Sequence, residues 1–568
     1  MDSDYKADGV FMTTHRHLEK NWFFKASWLG LLLAVIIPSG CGGGGGGGGD
    51  TGGGGGNDTS DSSRLYVPGL ADFADAVLSF DKADTISGPA VQNRAIAGES
   101  TLVFAPYSIF VDMLNNQLYT GNSDGTIVVF NRASTADGNL TPARMIMDYT
   151  NMISSAVDLY MDPIRNRLYV ADDINMAVYI FDNADSISVD FSDPENPLDT
   201  PANSIIYTGT LDQAIRPAGL ALDGARDILY VSDFDYNRVL VYDGASAING
   251  LNSDPFQDPI FLQYRTISDP SLNAPLKLFL DDMNDRLYAA GNADIKVFDN
   301  ASSSTVVMSR TISLYDPVNF TTLPPMGVFV DTGKNILYAS TFDYNFYPVV
   351  YVFEHADTVQ NTVIDFIDVY PTPDRIIELP ADTWPTDIFV DVTPIAFPST
   401  PALDGRATAA GGAPSTPPDV GDLTATAGVR GFYSFDIQRI PSNAKITSAA
   451  LNLFQRQIFG DPYATLGHII VDHLDYGPAL DGSVYNMAAL TENIGTLSTD
   501  PAVEYKKLGV TGSVQNDHVS SRTRSQYRLR FSDQETDGDA VSDVARFTDA
   551  ENIVVPRNPP QLMITVAP

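Results

Sequence analysis

The chain has 568 residues, and its 71 acidic side chains outnumber 34 basic ones for a formal charge of −37. That surplus excludes a partner held mainly through its phosphates, nucleic acid above all. Apolar content of 44% supplies a core, charged content of 18% is too low for long disordered tails or coiled coils, and only nine of the 71 acids are Glu. An excess of Asp favours turns over helices and predicts an all-β chain.

Residues 1–41 carry His15, Arg16, His17, Lys20 and Lys25, then the apolar run Trp28 to Ile37, then Pro38-Ser39-Gly40-Cys41. A run of about ten apolar residues is half of what a membrane span requires, so the pattern is that of an export signal. It resembles a bacterial lipoprotein signal, with small residues before a Cys. The resemblance implies lipidation of Cys41, the only cysteine in the chain, and a membrane-anchored envelope location, outer rather than inner membrane. With one cysteine no intrachain disulfide can form. Residues 42–63 are Gly-rich and polar and form a tether, with a typical end-to-end distance of about 26 Å.

From Arg64 to Phe397 one pattern recurs. An apolar triplet ends in Asp, a polar turn follows, and Leu-Tyr comes next: Asp112 to Tyr119, Asp162 to Tyr169, Asp223 to Tyr230, Asp281 to Tyr288 and Asp331 to Tyr338. The constant seven-residue spacing across Asn/Asp/Gly-rich turns predicts a hairpin of fixed register. A third strand follows, ending in an aromatic residue (Phe80, Phe130, Phe181, Tyr242, Phe298, Phe353), then strings such as FDNAD and YDGAS. A fourth strand carries an isoleucine, as in NRAI, ARMI, NSII, YRTI, SRTI and DRII. Four-strand units at this interval are blades of a β-propeller. The region opens on a second strand, Leu65-Tyr66, and ends on a first strand, Ile388 to Asp391. Joining these halves makes a sixth blade and leaves no open sheet edge. Arg216 to Asp243 resembles an NHL repeat, and residues 64–397 resemble six-bladed NHL-like propellers, a fold that serves both enzymes and binding modules.

Between Phe397 and Val429 the composition turns to Ala, Gly, Pro, Thr and Ser, placing a second domain at 398–568. Its segments GVRGFYSFDIQRIPSNAKITSAALNLFQ and NPPQLMITV resemble the DNRLRE-type β-sandwich, a jelly-roll-like module with some polysaccharide-binding members. Tyr485 stands where Trp is usual in that family.

In a propeller, the loops between second and third strands share a face with the loops entering each first strand, and only the former vary here in length. This is the expected ligand face. It would gather Arg216, Asp233, Asp235, Tyr236, Asp343, Tyr344 and Trp384, the last being the only tryptophan beyond the signal. Aromatic rings stack on sugar CH faces and carboxylates accept from hydroxyls, so a glycan or another envelope component is the expected partner. The competing role for these side chains is to pack and cap the loops. The repeated Asp112, Asp162, Asp223, Asp281, Asp331 and Asp391 suit turn capping or, less simply, a calcium ring. Calcium is the one cofactor the composition leaves open, and Asp190, Asp193, Glu195 and Asp199 are a second candidate group for it. His355 is the only propeller histidine, which leaves few parts for a catalytic centre. The leading expectation is a lipid-anchored envelope binding protein, monomeric, with no catalytic residue assigned. The alternatives are a calcium-dependent propeller hydrolase or lactonase acting on a carbohydrate-derived substrate, and a structural scaffold.

Overall fold

The computed structural model describes residues 63–567 apart from 72–73, 149, 151–152, 190–199, 208–215, 250–263, 365–366, 382, 392–393, 410, 412–414, 424–426, 540 and 551–557. The signal, Cys41, the tether and the acidic group at Asp190 to Asp199 lie outside the described residues.

Alternation of apolar residues with fixed turns produces six antiparallel sheets in a ring. Five blades are continuous in sequence; Pro106–Asp112, Gln117–Asn122, Ile127–Asn131 and Arg144–Ile146 form the first of them, called here blade 2. Blade 1 is composite, as the pattern predicts. Phe389–Val390 pairs with Arg64–Ala71, in the register Leu65 to Val390 and Tyr66 to Phe389. The Asp391 carboxylate accepts from the Arg64 backbone N–H at 2.5 Å and from its guanidinium at 2.6 Å, so the last residue of the ring grips the first.

The repeated strings have a common physical reason. The third residue of each FDxA-type turn takes left-handed φ: Lys82, Arg132, Asn183, Gly244, Asn300 and His355, between 55° and 76°. This turns a buried Ala carbonyl toward the preceding blade. At four of the six junctions an arginine on the fourth strand receives it: Arg144 donates to Ala184 and Ile187, Arg265 to Ala301 and Ser303, Arg310 to Ala356 and Val359, and Arg375 to Ala83 and Ile86, while Arg94 of blade 1 pairs with Asp81. Blade 3 has Ser204 at that place, and Arg167 on its second strand substitutes, reaching Ala245 at 2.7 Å and Ile248 at 2.5 Å. Two of the Leu-Tyr tyrosines join the grip, Tyr169 on Ala245 and Tyr288 on Ala356. All six Leu-Tyr tyrosines are buried core, and five of the six repeated Asp cap hairpin turns, Asp391 holding Arg64 instead: Asp112, for example, accepts from Leu114 N–H at 2.9 Å and Asn115 N–H at 3.1 Å.

The C-terminal region is also all-β. Ile395–Pro398 pairs with Gln561–Ala567, so the compositional boundary at 397/398 falls inside its first strand. The 15-residue strand Lys445–Phe459 pairs first with Gln561–Ala567 and Tyr505–Gly509; after a register shift at Gln455 it pairs with Asp543–Phe547. One strand thus serves two groups of strands, with Leu451, Leu453, Tyr433, Phe435, Tyr527 and Ile564 in the core. This region covers the hairpin end of the propeller. Arg226, whose side chain is fully buried, pairs with Asp223 at 2.6 Å and donates to the Asp282 carbonyl at 2.8 Å and to the Tyr505 hydroxyl at 3.3 Å. Among the described residues no helix is long and apolar enough to cross a membrane.

Candidate functional site

With the C-terminal region at the hairpin end, the loop end and the channel are the candidate sites. First strands line the channel, so residues at equal distance before the repeated Asp lie at one level around it. Two residues before come Phe110, Tyr160, Ala221, Phe279, Phe329 and Phe389. Their ring centroids run Tyr160, Phe110, Phe389, Phe329, Phe279 at separations of 4.9 to 5.3 Å, and the only gap in the circle is Ala221.

Four residues before the Asp, nearer the loop face, small and charged residues alternate: Asp387, Ser108, Asp158, Gly219, Lys277 and Gly327. The glycines are steric necessities. A Cβ on Gly219 would stand 2.2 Å from the Leu276 carbonyl oxygen, and one on Gly327 would stand 2.7 Å from Ser340 Oγ, an atom held by the Pro385 carbonyl. The three charged side chains converge on the axis and are buried. Lys277 Nζ donates to Asp158 Oδ1 at 2.6 Å, to the Val157 carbonyl at 2.9 Å and pairs with Asp387 Oδ2 at 3.2 Å, so all three ammonium protons have acceptors. Asp158 also accepts from Leu220 N–H at 2.6 Å, and Asp387 from Ile109 N–H at 3.0 Å. Five blades therefore meet in this one cluster. It forms one end of a cavity of about 160 Å³ whose other end is Pro394, Ile395 and Ala396.

Two carboxylates facing one ammonium leave a buried negative charge. Burial pushes the Asp158 carboxyl up to about 6, Lys277 opposes that shift and Asp387 reinforces it. Asp387 and Asp391 are also raised, burial again the largest cause and Asp391 reaching about 6. A carboxyl with a folded pKa above its unfolded 3.8 holds its proton more tightly when folded. Its stabilising contribution is full below about pH 4 and is lost as pH rises through about 6. Denaturant midpoints should therefore fall between pH 4.5 and pH 7, and Asp158→Asn should flatten that fall by about 2 to 3 kcal/mol. An equal slope in the variant would remove Asp158 from the account.

The sequence-predicted ligand residues form two groups at the loop face. On blade 4, Arg216 makes a forked pair with Asp235 at 2.6 to 3.0 Å and lies 4.9 Å over the Phe234 ring. Asp233 accepts from Arg238 at 2.8 Å and from Tyr236 N–H at 3.2 Å, while Arg238 covers the Tyr236 ring at 5.2 Å. Asp233 is raised by burial; Arg216 is raised, first by its hydrogen bond to Asp235. Beside them the Asp173 carboxyl is raised by burial, and its Oδ1 has no hydrogen-bond partner. On blade 6, Asp343 caps its own turn, accepting from Asn345 N–H at 2.9 Å and Tyr347 N–H at 2.7 Å. Trp384 is 42% exposed and packs edge-on against Phe342 at 6.1 Å; the neighbouring Thr386 hydroxyl reaches the carbonyl of half-exposed Tyr107. The carboxylates thus serve their own loops first, and the exposed rings of Tyr236, Tyr344 and Trp384 are what each group offers a ligand.

Sequence reasoning missed the Asp158, Lys277 and Asp387 cluster. The signal was available: all three sit exactly four residues before the repeated Asp, on alternate blades.

In the C-terminal region Tyr485 is buried, with Arg430 stacked 4.3 Å from its ring and its hydroxyl bonded to Glu535, so this ring is not free to stack on a sugar. His468 lies just outside the strand Ile469–Leu474 that holds His473. His473 and Ser525 both bond the Asp517 carboxylate, at 2.8 and 2.7 Å, an arrangement without the Ser-to-His bond a nucleophile requires. The carboxylates of Asp537, Asp539 and Asp543 come within 4.8 Å of one another, a donor set chemically suited to a hard cation.

No family model matches the chain, and no curated protein matches it. Among solved structures it is similar to the β-propeller domain of Cps50 (Swd1) from Myceliophteria thermophila, at 14% identity over 55% of this chain and 86% of that one, with a TM-score of 0.33. It is similar to a chain of a nidogen/laminin complex at 12% identity over 58% and 98%, TM-score 0.35. It is also similar to a Bacteroides uniformis protein provisionally assigned as a 6-phosphogluconolactonase, at 10% identity over 58% and 100%, TM-score 0.36. Likenesses at this level carry nothing about ligand or reaction.

Proposed function

We propose that this is a lipid-anchored cell-envelope protein, held by Cys41, that binds a glycan or another envelope component at the loop face of its propeller. In this reading the C-terminal region is a DNRLRE-type β-sandwich that rests on the hairpin face and leaves the loop face open. The observation that carries it is the set of exposed rings, Trp384 foremost, above a channel sealed by its own charged cluster. Such rings add about 0.5 to 1.5 kcal/mol each to a stacked ligand.

The test is a glycan array on the chain, followed by titration of the best hit on Trp384 fluorescence. Trp384→Ala and Tyr236→Ala should each weaken binding about threefold to tenfold. Unaltered emission together with normal binding by Trp384→Ala would move the ligand off this face. Anchoring is checked by mass: the mature N-terminus should carry acyl chains on Cys41.

The hydrolase or lactonase reading draws on calcium. Among the described residues the carboxylates grouped closely enough for calcium, Asp537, Asp539 and Asp543, belong to the C-terminal region, and Lys277 has no donor left for a substrate. The binding reading therefore takes precedence.

A further inference from the structure

Blade 6 and its approach carry two turns whose residue choice the fold does not explain. In the blade hairpins the left-handed turn position is taken by Asn116, Asn166, Asp227, Asp285 and Asn335, residue types that accept positive φ. An extra hairpin, Leu314–Asp316 with Thr321–Leu323, copies that turn: Asp316 accepts from Val318 N–H at 2.8 Å and from Asn319 Nδ2 at 2.7 Å. Its left-handed residue is Phe320, at φ 55° and 81% exposed. In the loop between second and third strands the corresponding places are Gly125, Met176 and Asn237, but on blade 6 the residue is Phe346, at φ 63° and 66% exposed. Each phenylalanine sets a bulky side chain on a backbone conformation that penalises it, and leaves its ring in water. Strain of this kind persists where it serves a purpose.

The two turns are neighbours. The Thr341 hydroxyl, two residues before Asp343, donates to the carbonyl of Pro324, the residue that follows the extra hairpin, at 2.8 Å. A second extra hairpin, Thr362–Ile364 with Ile367–Val369, packs on the first through Tyr315 stacked on Tyr370 at 4.7 Å, and both hairpins carry an exposed valine, Val318 at 78% and Val363 at 68%. Neither Val318 to Leu323 nor Tyr344 to Tyr351 contains a charged residue, in a chain of formal charge −37.

We propose that this edge is a membrane-docking surface, in which Phe320 and Phe346, with Val318 and Val363, enter the headgroup boundary of a lipid bilayer. The inference rests on the envelope-anchored reading, since the lipid on Cys41 would hold the chain beside such a surface. Lipid fits better than a folded partner for two reasons. The rings stand exposed at the tips of separate turns, and aromatic side chains favour the bilayer interface. The turn tips Val318 to Phe320 and Tyr344 to Tyr347 carry no charge, and Asp316 at the base of the first is buried, which lessens the repulsion a strongly acidic protein meets at a headgroup layer.

The experiment takes residues 61–568, which form one compact unit, without lipid, and measures their flotation with phosphatidylcholine vesicles. Phe320→Asn/Phe346→Asn should lower the vesicle-bound partition by at least about tenfold. Because Asn suits both turns, the variant should keep or raise its Tm, so a loss of binding is not a loss of fold. Absence of wild-type binding to vesicles, or equal binding by the variant, overturns the proposal. So does concentration-dependent dimerisation in sedimentation that the variant abolishes, which would make the edge a contact between copies. Glycan titration of the same variant separates the two proposals: retained glycan binding with lost vesicle binding supports docking, and the reverse leaves only the ligand face.

Discussion

Lys277→Met should destabilise the protein by about 3 to 5 kcal/mol at pH 7.5, because it strands Asp158 and Asp387 as unpaired buried carboxylates. Part of that loss should return at pH 5. Asp158 already sits at about 6 with the lysine present, and removing the ammonium raises both carboxyls further, so mild acid neutralises them. Adding Asp158→Asn and Asp387→Asn to Lys277→Met should recover most of the stability at pH 7.5, since the cost lies in stranded charge. Urea unfolding of the single and triple variants at the two pH values measures this. A single variant within 1 kcal/mol of the parent, by the scale of surface substitutions, would mean that the cluster does not hold the ring together.

The second large effect concerns the staple between blades. Arg167→Ala leaves the Ala245 and Ile248 carbonyls without their charged donor and should cost about 3 kcal/mol, given 1.5 to 3 for each hydrogen bond to a charged group less the gain from water entry. Ser204→Arg in the same chain should restore much of it, because it puts the arginine where Arg144, Arg265, Arg310 and Arg375 have theirs. Thermal unfolding of the single and double variants decides the point. A double variant as unstable as Arg167→Ala would show that the second-strand arginine does something the fourth-strand one cannot.

The blade count and the closure were legible because both follow from local regularities. The seven-residue step from Asp to Tyr fixes a hairpin, and a half-blade at each end has one way to be completed. The FDxA strings and the Arg-x-Ile strands were legible as motifs, but not as partners. Their bond joins neighbouring blades, a relation that no spacing along one repeat expresses. Arg167 shows the difference: the absence of Arg from NSII is visible in the sequence, yet its replacement from another strand needs coordinates.

The loop face was legible from loop-length variation as one face, and the state of its side chains was not. Asp233, Asp235 and Asp343 were read as ligand acceptors from residue type. Residue type does not tell an acceptor offered to a ligand from one already held by Arg238, Arg216 or its own turn, and in the structure these carboxylates are held. The exposed rings remain. Tyr485, matched to a family's Trp position, likewise lies buried beneath Arg430, since burial depends on what the rest of the sheet brings over it.

The sequence by itself determined the local periods: two-residue alternation, fixed turns, an Asp at every hairpin entry, and from these an all-β ring of six blades closed by its own C-terminal strand. Each is a near-neighbour steric or hydrogen-bonding rule, written out in consecutive residues. Only the tertiary structure decided what meets at the axis and what is covered. Asp158, Lys277 and Asp387 are separated by more than a hundred residues each, and they become one cluster because ring symmetry brings equal offsets to one level. The choice of free face was tertiary in the same sense. Arg226 and Tyr505 are 279 residues apart, and their contact brings the C-terminal region against the hairpin end, away from the loop end.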